Sequence, residues 1–320
     1  MNISVLGCGR WGSFLAWYAH KLGNNVVSYG PDDEIFRALK ATRVNEYVTY
    51  PDGITLSSDL GFAVRHAEII IISISSQALR GFLQRVTAFD LAGKKIVLCM
   101  KGIEEGMGKR LSEVCLESDI AKESIAVWVG PGHIQDFVKG IPNCMVIDSY
   151  DPALKVFLAD NFKSDIIRFY YGGDIIGTEF GAAAKNIMGI VAGILDGLGY
   201  TSLKGPLMAR GAREVARLIA AMGGNELSAY GLCHLGDYEA TLFSPHSHNR
   251  RWGEAFARGE TFTKLAEGVA TARAVGGLAE QLGIEMPITS ALNLAIRENL
   301  PPVEMIKILF ERDIKVEFGF

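Results

Sequence analysis

Residues 181–195 read GAAAKNIMGIVAGIL, an apolar run holding one charge, Lys185, and one amide, Asn186. The run lacks proline and is too short to span a bilayer, so it predicts a buried helix of a globular protein. Lysine is almost never fully buried unless it is paired or functional. Desolvation lowers its pKa, which suits it to proton transfer. The plainer reading is a lysine near a helix end whose ammonium snorkels to water, and on this residue alone the two readings stand level. A second motif supplies a reaction for such a group. Gly7-Cys8-Gly9-Arg10-Trp11-Gly12 follows a β-run at 3–6 and precedes a helix over 13–22, with Gly23 as its stop and a second β-run at 26–29. This is G-x-G-x-x-G in the strand–turn–helix–strand setting of a dinucleotide site. Gly7 permits the tight turn, Gly9 lets the backbone approach a pyrophosphate, and Gly12 lets helix pack closely on strand.

The elements that must position these groups differ between the two halves of the chain. In the first half, β-runs recur at 68–75, 95–100, 126–129, 144–148 and 166–170, alternating with short helices. The Ile-rich run EIIIISIS reads as a strand buried on both faces of a parallel sheet. Lys101 follows the strand at 95–100, where ligands of open α/β sheets bind, just beyond the carboxyl ends of strands. The plainer reading is an ordinary strand-end lysine. From about residue 176 helical periods dominate. The expected architecture is therefore α/β: an N-terminal Rossmann-type dinucleotide-binding domain over 1–172 and an all-helical C-terminal domain over 173–320. Expected helices of the second half include 177–198, 206–222, 227–231, 253–258, 262–265, 270–282, 290–297 and 303–310.

After the second β-run come Asp32, Asp33 and Glu34. Acids there favour the ribose 2′-hydroxyl of NAD over the 2′-phosphate of NADP, although they also suit the start of a helix, and Arg37 or Arg43 could fold back. Residues 234–253 form one polar, turn-rich segment with three His, two Arg, acids and hydroxyls. His246 and His248 lack a second ligand pair at a fixed offset, so no metal site is expected; donors for a phosphate are the favoured use.

Composition bounds the rest. With 32 basic and 36 acidic side chains the net charge is −4, which argues against nucleic acid as the main partner. Five scattered cysteines without a C-x-x-C pair point to reduced thiols. No signal peptide or membrane span is read, so the expectation is a soluble cytoplasmic protein.

Taken together, the motifs resemble the NAD(P)-dependent glycerol-3-phosphate dehydrogenase family over roughly residues 3–311. The resemblance rests on Gly7–Gly12, Ser75-Ser76-Gln77-Ala78-Leu79, Lys101-Gly102-Ile103-Glu104, Gly130-Pro131 and Ala184-Lys185-Asn186. It continues with Leu235-Gly236-Asp237 and Thr241, Ser247-His248-Asn249-Arg250-Arg251, Glu267-Gly268, and the run from Ile284 to Thr289. It implies that Lys185 is the general acid/base, that Lys101 meets substrate and cofactor, and that Asp237 and Thr241 hold the reacting region. It further implies that Gly130, Ser247, His248, Asn249 and Arg250 serve the substrate, with Ser247 and Asn249 at its phosphate end. Arg10 and Trp11 would lie at the cofactor, with Ile134, Leu265 and Glu267 further along it, and the enzyme would be a homodimer. Three positions depart from the family pattern: His248 replaces an Arg that grips phosphate, Gly132 replaces a small hydroxyl residue, and Pro31 replaces a base, which strengthens the lean to NAD. The first two leave open a different hydroxymethyl, phosphorylated or phosphonate ketone as substrate; a silent dinucleotide sensor is the third reading.

Overall fold

A computed structural model describes residues 1–314, 316 and 317. The tip of the expected second domain, 318–320, lies outside them. Eight strands form one sheet: β1 (Asn2–Leu6), β2 (Asn25–Tyr29), β3 (Ile54–Ser57), β4 (Ile69–Ile72), β5 (Lys95–Leu98), β6 (Ile125–Val129), β7 (Asn143–Ser149) and β8 (Ile167–Tyr171). Their order is β3-β2-β1-β4-β5-β6-β7-β8, parallel throughout except that β7 runs antiparallel to β6. The four isoleucines of β4 are fully buried, as a central parallel strand requires. Register aligns the carboxyl ends at the centre. Leu6 pairs with Tyr29 and Ile72, and Ile72 with Leu98. The glycine turn after β1 and Lys101 after β5 therefore open on one edge, at the point where the strand order reverses.

Helices α1 (Arg10–Lys21), α2 (Glu34–Thr42), α3 (Leu60–His66), α4 (Leu79–Val86), α5 (Leu111–Leu116), α6 (Ile134–Val138) and α7 (Pro152–Phe162) accompany the sheet. Beyond it follow α8 (Ile175–Gly197), α9 (Lys204–Ala221), α10 (His248–Arg258), α11 (Glu267–Leu282), α12 (Pro287–Glu298) and α13 (Pro302–Phe310). α8 is the axis of the helical domain: every residue from 177 to 195 is buried. Its small residues explain how a helix can be surrounded so closely. A Cβ on Gly193 would lie 1.8 Å from the Arg250 carbonyl oxygen, and one on Gly253 2.0 Å from that of Ile190, so the backbones of α8 and α10 touch. Asp174 caps α8 by accepting from the Gly177 N–H.

Several expected boundaries move. α1 begins at Arg10, so Gly12 lies inside the helix. Residues 226–230 form a 3₁₀ turn, and 262–265 are not helical. The polar segment at 234–253 is not one loop. It divides into a 3₁₀ turn (Leu235–Asp237), a π turn (Glu239–Phe243) and the first turn of α10, which starts five residues earlier than expected. Ser247 caps α10 by accepting from the Arg250 N–H; the polar residues of that first turn hid the helical period. No described helix is long and apolar enough to cross a membrane.

Candidate active site

A cleft of about 760 Å³ runs between the sheet edge and the helical domain. It gathers Gly7, Gly9, Arg10, Trp11, Lys101, Gly132, Lys185, Asp237, Thr241, Ser247, His248, Asn249, Leu265 and Glu267, residues spread across most of the chain. A second, more apolar cavity of about 300 Å³ lies among α8, α9, α12 and α13 and contains none of them.

At the centre, two lysines share one carboxylate oxygen. Lys185 Nζ lies 2.5 Å and Lys101 Nζ 2.7 Å from Asp237 Oδ2. Lys185 Nζ also donates to Thr241 Oγ1 at 2.9 Å, and Thr241 Oγ1 donates to the Asp237 carbonyl at 2.7 Å. Lys101 Nζ donates to the Gly130 carbonyl at 2.8 Å and sits 5.7 Å from the centre of the Trp11 ring. Lys185 is buried on α8, about three turns from either end, so the snorkelling reading fails. Burial brings its pKa down from 10.5 to about 7; Asp237 opposes the fall and Lys101 adds to it. The ammonium thus holds or releases a proton near neutrality.

The cofactor half of the cleft fits a dinucleotide. Gly7 has φ +119°, and a Cβ there would meet the Ser73 carbonyl oxygen at 2.2 Å; a Cβ on Gly9 would point into open space, leaving the backbone approachable. Arg10 donates through Nη1 to the His246 carbonyl at 3.0 Å, while its Nε is buried without a partner. An orphaned donor at the start of α1, where backbone N–H groups also point outward, suits a phosphate. Glu267 Oε1 accepts from the Ser76 N–H at 2.9 Å and joins the two domains across the cleft.

The structure places four further expected residues as follows. Arg250 is not directed at the cleft: its Nε donates to Asp196 Oδ2 at 2.6 Å, which locks α10 to α8. Ile134 is buried against the N-terminal core rather than lining the cleft. Gly130 presents its carbonyl to the site as the acceptor for Lys101. Gly12 packs against Gly7 at the end of β1, its Cβ position 1.9 Å from the Gly7 carbonyl oxygen, the close helix-on-strand approach expected of it. The acids after β2 are also partly spoken for. Asp33 caps α2 by accepting from the Phe36 N–H, and Arg43 donates to the carbonyls of Tyr50 and Ile54. Pro31 is the residue of that turn which lines the cleft.

The departure at Gly132 has a steric cause: a Cβ there would strike the Phe137 ring at 2.3 Å, and φ is +149°. His248 lines the cleft with Nδ1 3.3 Å from the Leu265 carbonyl. Burial and then Arg10 lower its pKa, which favours the neutral imidazole. Asn249 Oδ1 accepts from the Gly268 N–H at 2.9 Å, holding α11 to α10. Asn186 has a role that the sequence reading did not give it: its Nδ2 donates to the Lys101 carbonyl at 3.1 Å and ties α8 to the end of β5. The only trace in the sequence is an amide beside the lysine in an apolar run.

Comparison with known proteins agrees with this geometry. The family described as NAD-dependent glycerol-3-phosphate dehydrogenase N-terminus matches residues 2–155, and that described as NAD-dependent glycerol-3-phosphate dehydrogenase C-terminus matches 174–307. The glycerol-3-phosphate dehydrogenase (NAD(P)+) of Pelodictyon phaeoclathratiforme is 36% identical, over 99% of both chains. That of Chlorobium phaeobacteroides is 37% identical over 100% of both. The crystal structure of glycerol-3-phosphate dehydrogenase from Coxiella burnetii superposes with a TM-score of 0.89 at 28% identity, covering 97% of this chain and 98% of that one.

Proposed function

The chain belongs to the NAD-dependent glycerol-3-phosphate dehydrogenase family, and from that premise we propose that Lys185 is the general acid/base exchanging a proton with the C2 oxygen of the substrate. The protein is an sn-glycerol 3-phosphate:NAD(P) oxidoreductase, interconverting glycerol 3-phosphate and dihydroxyacetone phosphate. The observation that carries the assignment of roles is the Lys101–Asp237–Lys185 cluster in the cleft beside the glycine turn. The dinucleotide supplies the hydride when bound, held by Gly7, Gly9, Arg10 and Trp11, with Leu265 and Glu267 further along. In ketone reduction, protonated Lys185 donates to the developing alkoxide; in alcohol oxidation, neutral Lys185 takes that proton back. Thr241 orients the ammonium, and Asp237 keeps enough positive charge on it to act as an acid near pH 7. Lys101, which shares the Asp237 oxygen with Lys185, meets the substrate oxygens beside it. Ser247, His248 and Asn249, at the N-terminus of α10, receive the phosphate end, where the first-turn N–H groups favour an anion.

Residues 1–172 serve the cofactor, and 173–320 serve the substrate and pair two copies as a homodimer. Five free thiols and the family resemblance support a cytoplasmic setting. The acids after β2, Pro31 in the cleft and the prior engagement of Arg43 support NAD over NADP. Steady-state oxidation of NADH and NADPH with dihydroxyacetone phosphate tests both assignments. We expect turnover with kcat/KM at least about tenfold higher for NADH, as unmet charge at a 2′-phosphate costs about 1.4 kcal/mol or more. Equal efficiency would remove the NAD preference, and no turnover would remove the substrate.

The pH dependence has a defined sign. With Lys185 near 7, kcat for reduction falls as pH rises through about 7, because the acid is lost. Oxidation rises over the same range, because the base is gained. Both limbs running the same way would exclude Lys185 as the titrating group.

A further inference from the structure

His234 is fully buried, lines neither of the two cavities described above and takes no part in the proton transfer above. Its Nδ1 lies 2.8 Å from the Gly181 carbonyl oxygen, and its Nε2 accepts from the Tyr238 hydroxyl at 2.7 Å. The two contacts define the tautomer, with the proton on Nδ1. Gly181 lies on α8 one turn before Lys185, and its carbonyl is the one to which the Lys185 N–H donates within the helix. His234 is thus fastened to the turn of α8 that carries Lys185. The 3₁₀ turn holding Asp237 begins at the next residue, Tyr238 follows it, and Thr241 comes one turn later. α8 admits this segment because it is small where they meet: a Cβ on Gly181 would lie 3.2 Å from His234 Cβ, and one on Gly189 2.8 Å from Thr241 Cγ2.

We propose that His234, braced by Tyr238, is a positioning residue that sets where the Asp237 carboxylate and Thr241 hydroxyl sit relative to the Lys185 ammonium. The inference rests on the acid/base role of Lys185. The charged and titratable groups facing Lys185 are Asp237 from this turn, Lys101 from the end of β5 and His234 itself. Those facing His234 are Lys185, Asp237 and Tyr238. Burial holds His234 neutral, down to about 4, so its donor and acceptor pattern is constant over the working range.

The test compares His234→Ala, His234→Asn and Tyr238→Phe with Lys185→Ala in parallel, reading pH profiles for ketone reduction and NADH affinity. Loosening Asp237 weakens its hold on the Lys185 proton. In His234→Ala, kcat should therefore fall about tenfold or more and its descending limb move at least about half a unit to lower pH, with NADH affinity unchanged. His234→Asn keeps a donor for the Gly181 carbonyl and should recover most of the loss. Tyr238→Phe removes only the bond to Nε2 and should shift the limb less, in the same direction; it decides the matter if His234→Ala does not fold. A parental limb in folded His234→Ala, or in Tyr238→Phe should His234→Ala not fold, overturns the proposal. Retained turnover in Lys185→Ala overturns the acid/base reading beneath it, and the two failures are thereby told apart.

Discussion

Lys185→Met is expected to lower kcat for dihydroxyacetone phosphate reduction on the order of 10³-fold, the usual worth of a positioned general acid, while leaving NADH affinity within about twofold, since each 1.4 kcal/mol would be tenfold. The proposed cofactor site is the Gly7–Gly12 turn, and Lys185 lies on a different element, so binding and turnover should separate. Stability should not fall with activity. Folding lowers the Lys185 pKa from 10.5 to about 7. Between those values the unfolded chain holds a proton that the folded chain has released, so the native protein gains stability as pH rises from about 7 towards 10.5 and lacks that gain at and below 7. Lys101 still pairs with the buried Asp237 carboxylate in this variant, and methionine fills similar space without a charge, so the melting temperature at pH 7 should hold or rise, and the gain towards pH 10 should shrink. Turnover within tenfold of the parent would remove Lys185 from the chemistry.

Asp237→Asn should do the opposite to stability. It leaves two ammonium groups without the buried oxygen that both contact, and breaking a buried pair from one side costs about 3–5 kcal/mol. Losing the carboxylate also removes what holds the Lys185 pKa up, so it falls below about 7. Reduction at pH 7 should then drop roughly 10²-fold through loss of the acid form and of alignment, and acidification should restore part of it. Urea denaturation and a kcat profile measure both effects. A limb still near pH 7 would show that Asp237 does not tune the acid.

The contrast with Arg250 shows how far residue type carries an argument. Both Lys185 and Arg250 were legible as charges in a promising segment. Lys185 stood out as the one charge in an apolar run, and the glycine turn at 7–12 gave it a reaction, both of them patterns of short linear stretches. The direction of Arg250 depends on Asp196, 54 positions earlier, and on glycines 193 and 253 bringing two helices into backbone contact. No local pattern encodes that approach. His234 and Asn186 were missed for the same reason, since each acts on a residue brought near only by folding.

By itself the sequence determined the α/β half with its glycine turn, the helical half, and the apolar run that carries the lysine, because hydrophobic period and turn chemistry act over a few neighbouring residues. Tertiary structure alone decided that Lys101 and Lys185 share the oxygen of Asp237, that the 234–253 segment splits into two tight turns and a helix, and that Arg250 reaches Asp196. Those outcomes depend on distances of a few ångströms between residues tens of positions apart, where packing of backbone on backbone and competition among hydrogen-bond partners select one arrangement.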